Sequence, residues 1–324
     1  MSIRKLISLT LALALALAML TCAAAEEAAP VRVASMMGPT SMGLVKLMNA
    51  NDNGESQQAY EFTLSGTANE IVPLLTRGEL DIAMIPCNLA SVLYNNTKGQ
   101  IRVLAVNTLG VLYVLESGDE IQSVADLAGK TIYSTGMGTT PEFALNYILA
   151  QNGLDPEKDL TVEFKSEAAE VLAALTNDAA SIGVLPQPYV TAALAQNDKL
   201  RVALSFTEEW DKVTDESRLI TGVAVARAAF VEENPEAIST FLEEYAASVE
   251  YVNANVDEAA EWIAELGIVA KAPVAKKALP ACNIVYIDGE EMKTAVSGYL
   301  AVLFEQNPES VGGKLPDEAF YYIP

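Results

Sequence analysis

The chain has 324 residues, with 20 Lys and Arg against 43 Asp and Glu, three cysteines and no histidine. The formal charge of −23 disfavours nucleic acid and anionic membranes as partners, and the missing imidazole excludes Ser/His/Asp and Cys/His catalysis and most zinc sites. With 51% of its residues apolar, a chain of this length suits one large or two medium domains.

Arg4 and Lys5 precede an apolar run from Leu6 to Leu20 and then small residues. That order predicts a secretory signal peptide over 1–25, with Ala23-Ala24-Ala25 permitting cleavage before Glu26. Cys22 opens a second reading, as the lipid-modified first residue of a bacterial lipoprotein, although Thr21 departs from the small residue usual before such a site. On either reading the protein is extracytoplasmic, in the periplasm or at the cell surface. Without Arg4 and Lys5 the mature chain keeps 18 basic against 43 acidic residues, a charge of −25, and no further stretch is long and apolar enough to span a bilayer. Cys87 and Cys282 could pair in an oxidising compartment, but two cysteines make no disulfide framework.

Val31 to Met37 reads as a strand, followed by the loop Gly38-Pro39-Thr40-Ser41-Met42-Gly43 and the apolar run Leu44 to Met48. Tyr60 to Ser65 alternates as a strand, and Thr67-Ala68-Asn69-Glu70 has capping-box spacing, predicting a helix to Arg77 closed by Gly78. Asp81 to Pro86 is a short buried strand, and Cys87-Asn88 begins a helix through Tyr94. Arg102 to Val106 and Val111 to Leu115 are strands joined through Thr108-Leu109-Gly110. Ser117-Gly118-Asp119 is read as a crossing point, so lobe 1 is expected over 26–117 and lobe 2 over 118–217, with 218–324 returning to lobe 1.

In lobe 2, the strand from Thr131 reaches a tight loop at Gly136 and Gly138; Thr140 suits an N-cap and Pro141 the first helical position. A helix start of this kind offers unpaired N–H groups and a positive dipole end to a polar ligand. Leu160 to Phe164, Ile182 to Leu185 and Leu200 to Ser205 read as strands, separated by helices through Leu175 and from Pro188 to Ala195. Glu208 to Ser217 reads as the return linker, with Trp210 either packing the hinge or covering a ligand. Ile220 to Ala226 is a strand, and helices follow from Asn234, over Val256 to Leu266, Ala272 to Leu279 and Met292 to Phe304, with Ile284 to Ile287 extended. Strands alternating with helices predict mostly parallel sheets covered on both faces.

The chain repeats itself at an offset of about one hundred residues. Gly38 aligns with Gly138 and Thr40 with Thr140, while Glu70, Leu75, Thr76, Ile82 and Pro86 meet Glu170, Leu175, Thr176, Ile182 and Pro186. Because punctuating residues match as well as apolar ones, two similar lobes are expected. Gly136-x-Gly138 lacks the third glycine of a dinucleotide fingerprint, and no Cys-x-x-Cys, Walker loop or carboxylate pair stands out, so no catalytic residue, cofactor or metal is expected.

Several phrases together resemble the extracytoplasmic solute-binding proteins of ABC importers, in the branch of nitrate, sulfonate, taurine and thiamine-precursor binders. They are Gly78-Glu79-Leu80-Asp81-Ile82-Ala83, Asp126-Leu127-Ala128-Gly129-Lys130-Thr131-Ile132, Thr139-Thr140-Pro141-Glu142, Pro186-Gln187-Pro188-Tyr189-Val190-Thr191 and Gly312-Gly313-Lys314-Leu315-Pro316-Asp317. The resemblance implies an α/β, two-lobed periplasmic-binding-protein fold of the second type, a chain that crosses twice, a solute held between the lobes and delivery to a membrane permease by a monomer. One departure is Asp178-Ala179-Ala180-Ser181, which lacks the acid of the Gly-x-x-Asp phrase.

Ligands of open α/β sheets bind outside the carboxyl ends of strands. That rule selects Gly38, Pro39, Thr40 and Ser41, then Ser65, Gly66 and Thr67, then Cys87 and Asn88 in lobe 1. In lobe 2 it selects Thr135, Gly136, Gly138, Thr139, Thr140, Glu142 and Gln187. Each has the plainer alternative of capping or turn-making, and Glu142 either supports its helix or meets a ligand amine or ring N–H. Threonine and glycine loops suit sulfonate, nitrate or carboxylate, while Tyr60, Tyr133 and Tyr189 leave room for an aromatic heterocycle. A secreted sensor domain, or an enzyme on the same fold, are the competing readings.

Overall fold

The strands form two sheets whose order explains the internal repeat. One sheet holds β1 (Val31–Met36), β2 (Tyr60–Ser65), β3 (Ile82–Pro86), β4 (Ile101–Leu109), β10 (Ile220–Arg227) and β11 (Ile284–Ile287), in the order β11-β4-β10-β3-β1-β2. The other holds β5 (Leu112–Ser117), β6 (Thr131–Ser134), β7 (Thr161–Phe164), β8 (Ile182–Pro186) and β9 (Leu200–Ser205), in the order β7-β6-β8-β5-β9. Matching strands about one hundred residues apart lays β2-β1-β3-β10-β4 onto β7-β6-β8-β5-β9, so the sheets share one order, and β1, β2 and β3, like β6, β7 and β8, are each followed by a helix. The computed structural model describes residues 29–324 apart from 178–180, and Val31–Pro324 is one compact unit. The expected leader and Cys22 lie outside the described residues.

Both sheets are mixed but mostly parallel as expected: four of six strands in the first and four of five in the second run the same way. β1 pairs in parallel with β2 and β3, and β6 with β7 and β8. β10 runs antiparallel to β3 and β4, and β5 antiparallel to β8 and β9. The cause is connectivity, because β5 and β10 are the strands by which the chain enters each lobe from the other. A strand arriving without the crossover needed for parallel pairing runs the opposite way.

The first crossing is also earlier than expected. Since Leu112–Ser117 belongs to the second sheet, the chain changes lobe at Gly110-Val111, and Ser117-Gly118-Asp119 is the loop after β5. The return runs from β9 into a helix, Phe206–Val213, before β10, so the expected linker is largely helical. Trp210 on this helix is fully buried, with its ring 4.3 Å from that of Tyr147 and 5.9 Å from that of Tyr299, and its indole N–H donates to Ser217 Oγ at 3.0 Å. It packs the crossing, the first of the two readings.

One apolar cluster runs through both lobes at this point, taking Val106 and Val223 from the first sheet, Val114 and Val184 from the second, and Phe206, Trp210 and Tyr299. Cys87 belongs to it, whereas Cys282 lies in a second cluster of lobe 1; both are buried and free, so the considered bridge is not formed. Buried acids brace the outer edges. Asp81 accepts from Arg32 at 2.7 and 2.9 Å and from Arg227 at 2.7 Å. In lobe 2 the acid has moved one strand over: Glu116 of β5, in register with Ile182, pairs with Arg201 and accepts from the Ile121 N–H. Among the described residues no helix is long and apolar enough to cross a membrane.

Candidate ligand-binding site

Register brings the loops of the two sheets to one junction. Ile220 lies opposite Leu109 and Gly222 opposite Pro86, so the return crossing enters the first sheet at the carboxyl ends of β3 and β4. Leu112 lies opposite Pro186 and Tyr113 opposite Ser205, so the second sheet is entered and left at the carboxyl ends of β8 and β9. Both crossings therefore join carboxyl edge to carboxyl edge, and the loops after β1, β2 and β3 share that junction with the loops after β6, β7 and β8. The junction is tightly stitched. Gly110 O accepts from Thr207 Oγ1 at 2.9 Å and from Asn283 Nδ2 at 2.5 Å, and the Tyr113 hydroxyl donates to Ala281 O at 2.7 Å. A Cβ on Gly110 would stand 2.5 Å from Thr207 Oγ1 and 2.6 Å from Leu219 Cδ2, so the side-by-side crossings require glycine there.

In lobe 1, Gly38 starts the short helix α1 (Pro39–Met42), which leads into α2 (Val45–Asp52). Thr40 Oγ1 donates to Met36 O at 3.0 Å and Ser41 Oγ to Gly38 O at 2.9 Å; both side chains are buried and their hydroxyl protons close the turn. Ser65 is buried and its carbonyl accepts the Met37 N–H at 2.8 Å, while Gly66 and Thr67 are exposed. Thr67 caps α3 (Ala68–Thr76) by position alone; its hydroxyl makes no capping bond, so the expected capping box is absent. Cys87 and Asn88 open α4 (Cys87–Asn96) directly after β3. The Cys87 thiol is fully buried in the core, which pushes its pKa up, and the Asn88 amide donates to Ser310 O at 3.2 Å.

In lobe 2, α5 (Thr140–Gln151) starts one residue earlier than expected, with Thr139 in the capping position. Thr139 Oγ1 donates to Gly136 O at 2.6 Å, and Glu142 Oε2 accepts the Gly138 N–H at 2.5 Å. Glu142 thereby supports its own helix start by engaging a backbone donor of the loop. Thr135 and Gly136 are half-buried, and Gly138 and Thr139 are exposed. Thr140 Oγ1 accepts from the buried Tyr299 hydroxyl at 3.3 Å, which links this loop to the C-terminal helix Gly289–Gln306. Gln187 is buried beside the crossing: its N–H donates to Val111 O at 2.9 Å and its Oε1 accepts from Thr191 Oγ1 at 2.8 Å.

Two features lay beyond the sequence signals. Asn107 on β4 is 1% exposed, donates to Thr40 O at a long 3.4 Å, and leaves Oδ1 without a hydrogen-bond partner. It presses on Gly222, where a Cβ would stand 2.5 Å from that Oδ1 and 2.4 Å from Thr40 Cγ2. Only long-range pairing brings these residues together, so no local motif marks them. The other feature is charge. Lys165, just after β7, is held 3.1 Å from Glu163 Oε2 with its ammonium 4.7 Å from the Tyr133 ring centre. Tyr60 is buried, its hydroxyl donating to Glu244 Oε2 at 2.6 Å, which leaves Tyr189 as the exposed member of the three tyrosines considered. Among the described residues no cluster of three or more potential metal ligands occurs.

A rival recess of about 450 Å³, lined by Arg77, Arg102, Arg227 and Glu232 among others, opens on the opposite edge of the first sheet. Its guanidinium groups are engaged: Arg77 with Glu79 at 2.5 Å, Arg102 with Gly99 O at 2.7 Å, and Arg227 with Asp81 at 2.7 Å.

Residues 53–279 match a family described as ABC transporter, phosphonate, periplasmic substrate-binding protein. No match is found among curated proteins. Among solved structures, an ABC transporter protein from Parabacteroides distasonis shares 24% identity over 91% of this chain and 98% of its own, with a TM-score of 0.75. The periplasmic aliphatic sulphonate binding protein SsuA from Escherichia coli shares 17% over 91% and 92%, with a TM-score of 0.70. The alkanesulfonate-binding protein SsuA from Xanthomonas axonopodis pv. citri, bound to MOPS, shares 13% over 92% and 99%, with a TM-score of 0.63. At these identities the likeness establishes the two-lobed periplasmic-binding-protein fold of the second type. The sheet order, the double crossing and the family match over most of the described residues agree, and the chain belongs to the periplasmic substrate-binding proteins of ABC transporters.

Proposed function

We propose that this protein captures a small anionic or heteroaromatic solute between the loops at its two carboxyl sheet edges, closes on it about the paired crossings, and hands it to a membrane permease. The observation that carries this reading is topological: both crossings join carboxyl edge to carboxyl edge, so the loops of two matched lobes share one junction. The candidate contacts are Gly38, Pro39, Thr40, Ser41, Ser65, Gly66 and Thr67 from lobe 1. From lobe 2 they are Thr135, Gly136, Thr139, Thr140 and Gln187, with Gly138 and Glu142 shaping the loop. Hinge closure is a common response of such two-lobed proteins. Two structural neighbours, by their names, bind sulfonates, and a sulfonate head accepts hydrogen bonds of the kind that N–H groups at the α5 start can donate. Release outside the cytoplasm, anchored through Cys22 or free, belongs to the same reading.

A thermal-shift screen of sulfonates, nitrate, amino acids and pyrimidines tests it. A solute at about one hundred times its Kd adds roughly 2.7 kcal/mol to the folded state, which is several degrees for a chain of this size. Thr139 is exposed, so Thr139→Arg fills the gap while leaving the core intact. The variant should melt like the wild type and lose the shift; a retained shift moves the site elsewhere.

A further inference from the structure

The loops that meet at the junction carry unusual exposed apolar side chains. Among the described residues six large apolar side chains are exposed, and three of them stand just beyond the carboxyl ends of strands: Met37 after β1 at 42%, Met137 after β6 at 71% and Tyr189, the first residue of the helix that follows β8, at 48%. Met37 and Met137 occupy the same place in the two lobes, one hundred residues apart. Gly38 follows the first, and Gly136 and Gly138 flank the second; a Cβ on Gly38 or Gly138 would meet nothing within 4 Å, so the chain around both methionines borders open space.

The same loops are poor in charge. Between Val33 and Val45, Phe62 and Val72, and Met84 and Thr97 there is no Lys or Arg, nor between Ile132 and Leu145 or Val184 and Asn197. The loop after β7 carries one cation, Lys165, which is paired with Glu163, and the Glu142 carboxylate is bound to the Gly138 N–H. A strongly charged, compact oxyanion would find no free cation on these loops and would leave three apolar side chains in water.

We infer that Met37, Met137 and Tyr189 form an apolar grip that determines specificity, and that the solute carries an apolar body of several carbons or a ring behind a single polar head. This rests on the proposal that the solute lies between the loops. Closure brings the lobe 1 methionine and the two lobe 2 side chains over that body and removes their surface from water, which favours binding roughly in proportion to the apolar area covered. Methionine suits the task because its unbranched thioether adapts to ligands of differing outline. The head group is left to hydroxyls and backbone N–H groups, so it contributes orientation more than selectivity.

Calorimetric titration of the mature protein with methanesulfonate, 1-butanesulfonate, 1-octanesulfonate and MOPS tests the inference. In the wild type each added methylene should tighten binding about two- to fourfold until the grip is filled. In the double variant Met37→Asn/Met137→Asn, built at exposed positions and checked for an unaltered melting temperature, the gain per methylene should fall to near onefold. Val202→Asn, an exposed apolar residue on β9 outside the loops, should keep the wild-type gradient. Equal affinity across the series in the wild type, or an undiminished gradient in the double variant, overturns the inference while leaving solute capture intact. No binding by any member, methanesulfonate included, also overturns the inference, while solute capture itself falls only if the thermal-shift screen finds no solute.

Discussion

Two contacts at single residues carry much of what the loops can do. Gly110 lies where both crossings touch, and a methyl group there meets Thr207 Oγ1 and Leu219 Cδ2 at about half an ångström or more inside any ordinary contact. Gly110→Ala should therefore lower stability by about 1–3 kcal/mol, the usual range for an overpacked site, read as a lower urea midpoint with an unchanged slope. An unchanged midpoint would mean that the crossings are free to separate. Asp81 supports a second prediction. Burial pushes its carboxyl pKa up, but hydrogen bonds from Arg32 and Arg227 together outweigh that and hold it below the ordinary value. A carboxyl depressed in the folded state stabilises the protein above its unfolded pKa, about 3.9. That contribution is lost as the pH falls through the folded pKa. Asp81→Asn should cost about 2 kcal/mol at pH 7, the scale of hydrogen bonds to a charged group, and the gap between variant and wild type should narrow below about pH 4. A gap constant down to pH 2 would contradict the pairing.

Much at this scale was legible before the structure. Gly38, Gly138, Thr139 and Thr140 were marked by loop chemistry, and they stand in the turns that open helices. What stayed hidden was which hydrogen bonds each residue makes. Thr40 and Ser41 spend their protons on their own turn, Glu142 takes the Gly138 N–H, and Cys87 turns into the core. A residue's place after a strand says where its backbone goes; the direction of the side chain depends on neighbours far away in sequence, as Asn88 and Ser310 show.

Elements were easier to find than to orient. Strands and helices recur at an offset of one hundred because each lobe solves the same packing problem, and that repeat survives in its glycines and prolines. The direction of β5 and β10 left no such mark, since an inserted strand is as apolar as its parallel neighbours. The helix Phe206–Val213 was obscured by its charges, although Phe206 and Trp210 are four residues apart and share its buried face. Trp210 touches Tyr147 on α5 and Tyr299 on the C-terminal helix, so it ties the return crossing to elements of both lobes. Trp210→Ala should cost about 3–5 kcal/mol, measured by chemical denaturation. A loss below about 1 kcal/mol would show that the cluster relaxes around the gap.

For the molecule as a whole, an acidic surface and a family of importer receptors are compatible, because charge far from zero favours solubility while the site itself is set by local groups. The account depends on one arrangement, a solute touched by loops of both lobes at once. Amide hydrogen exchange with and without 1-octanesulfonate measures this most directly. Slower exchange is predicted together in 36–41 and 65–67 of lobe 1 and in 135–140 and 187–191 of lobe 2. Slower exchange in one lobe alone, or around the recess at 75–78 and 227–232 on the opposite edge, would contradict it.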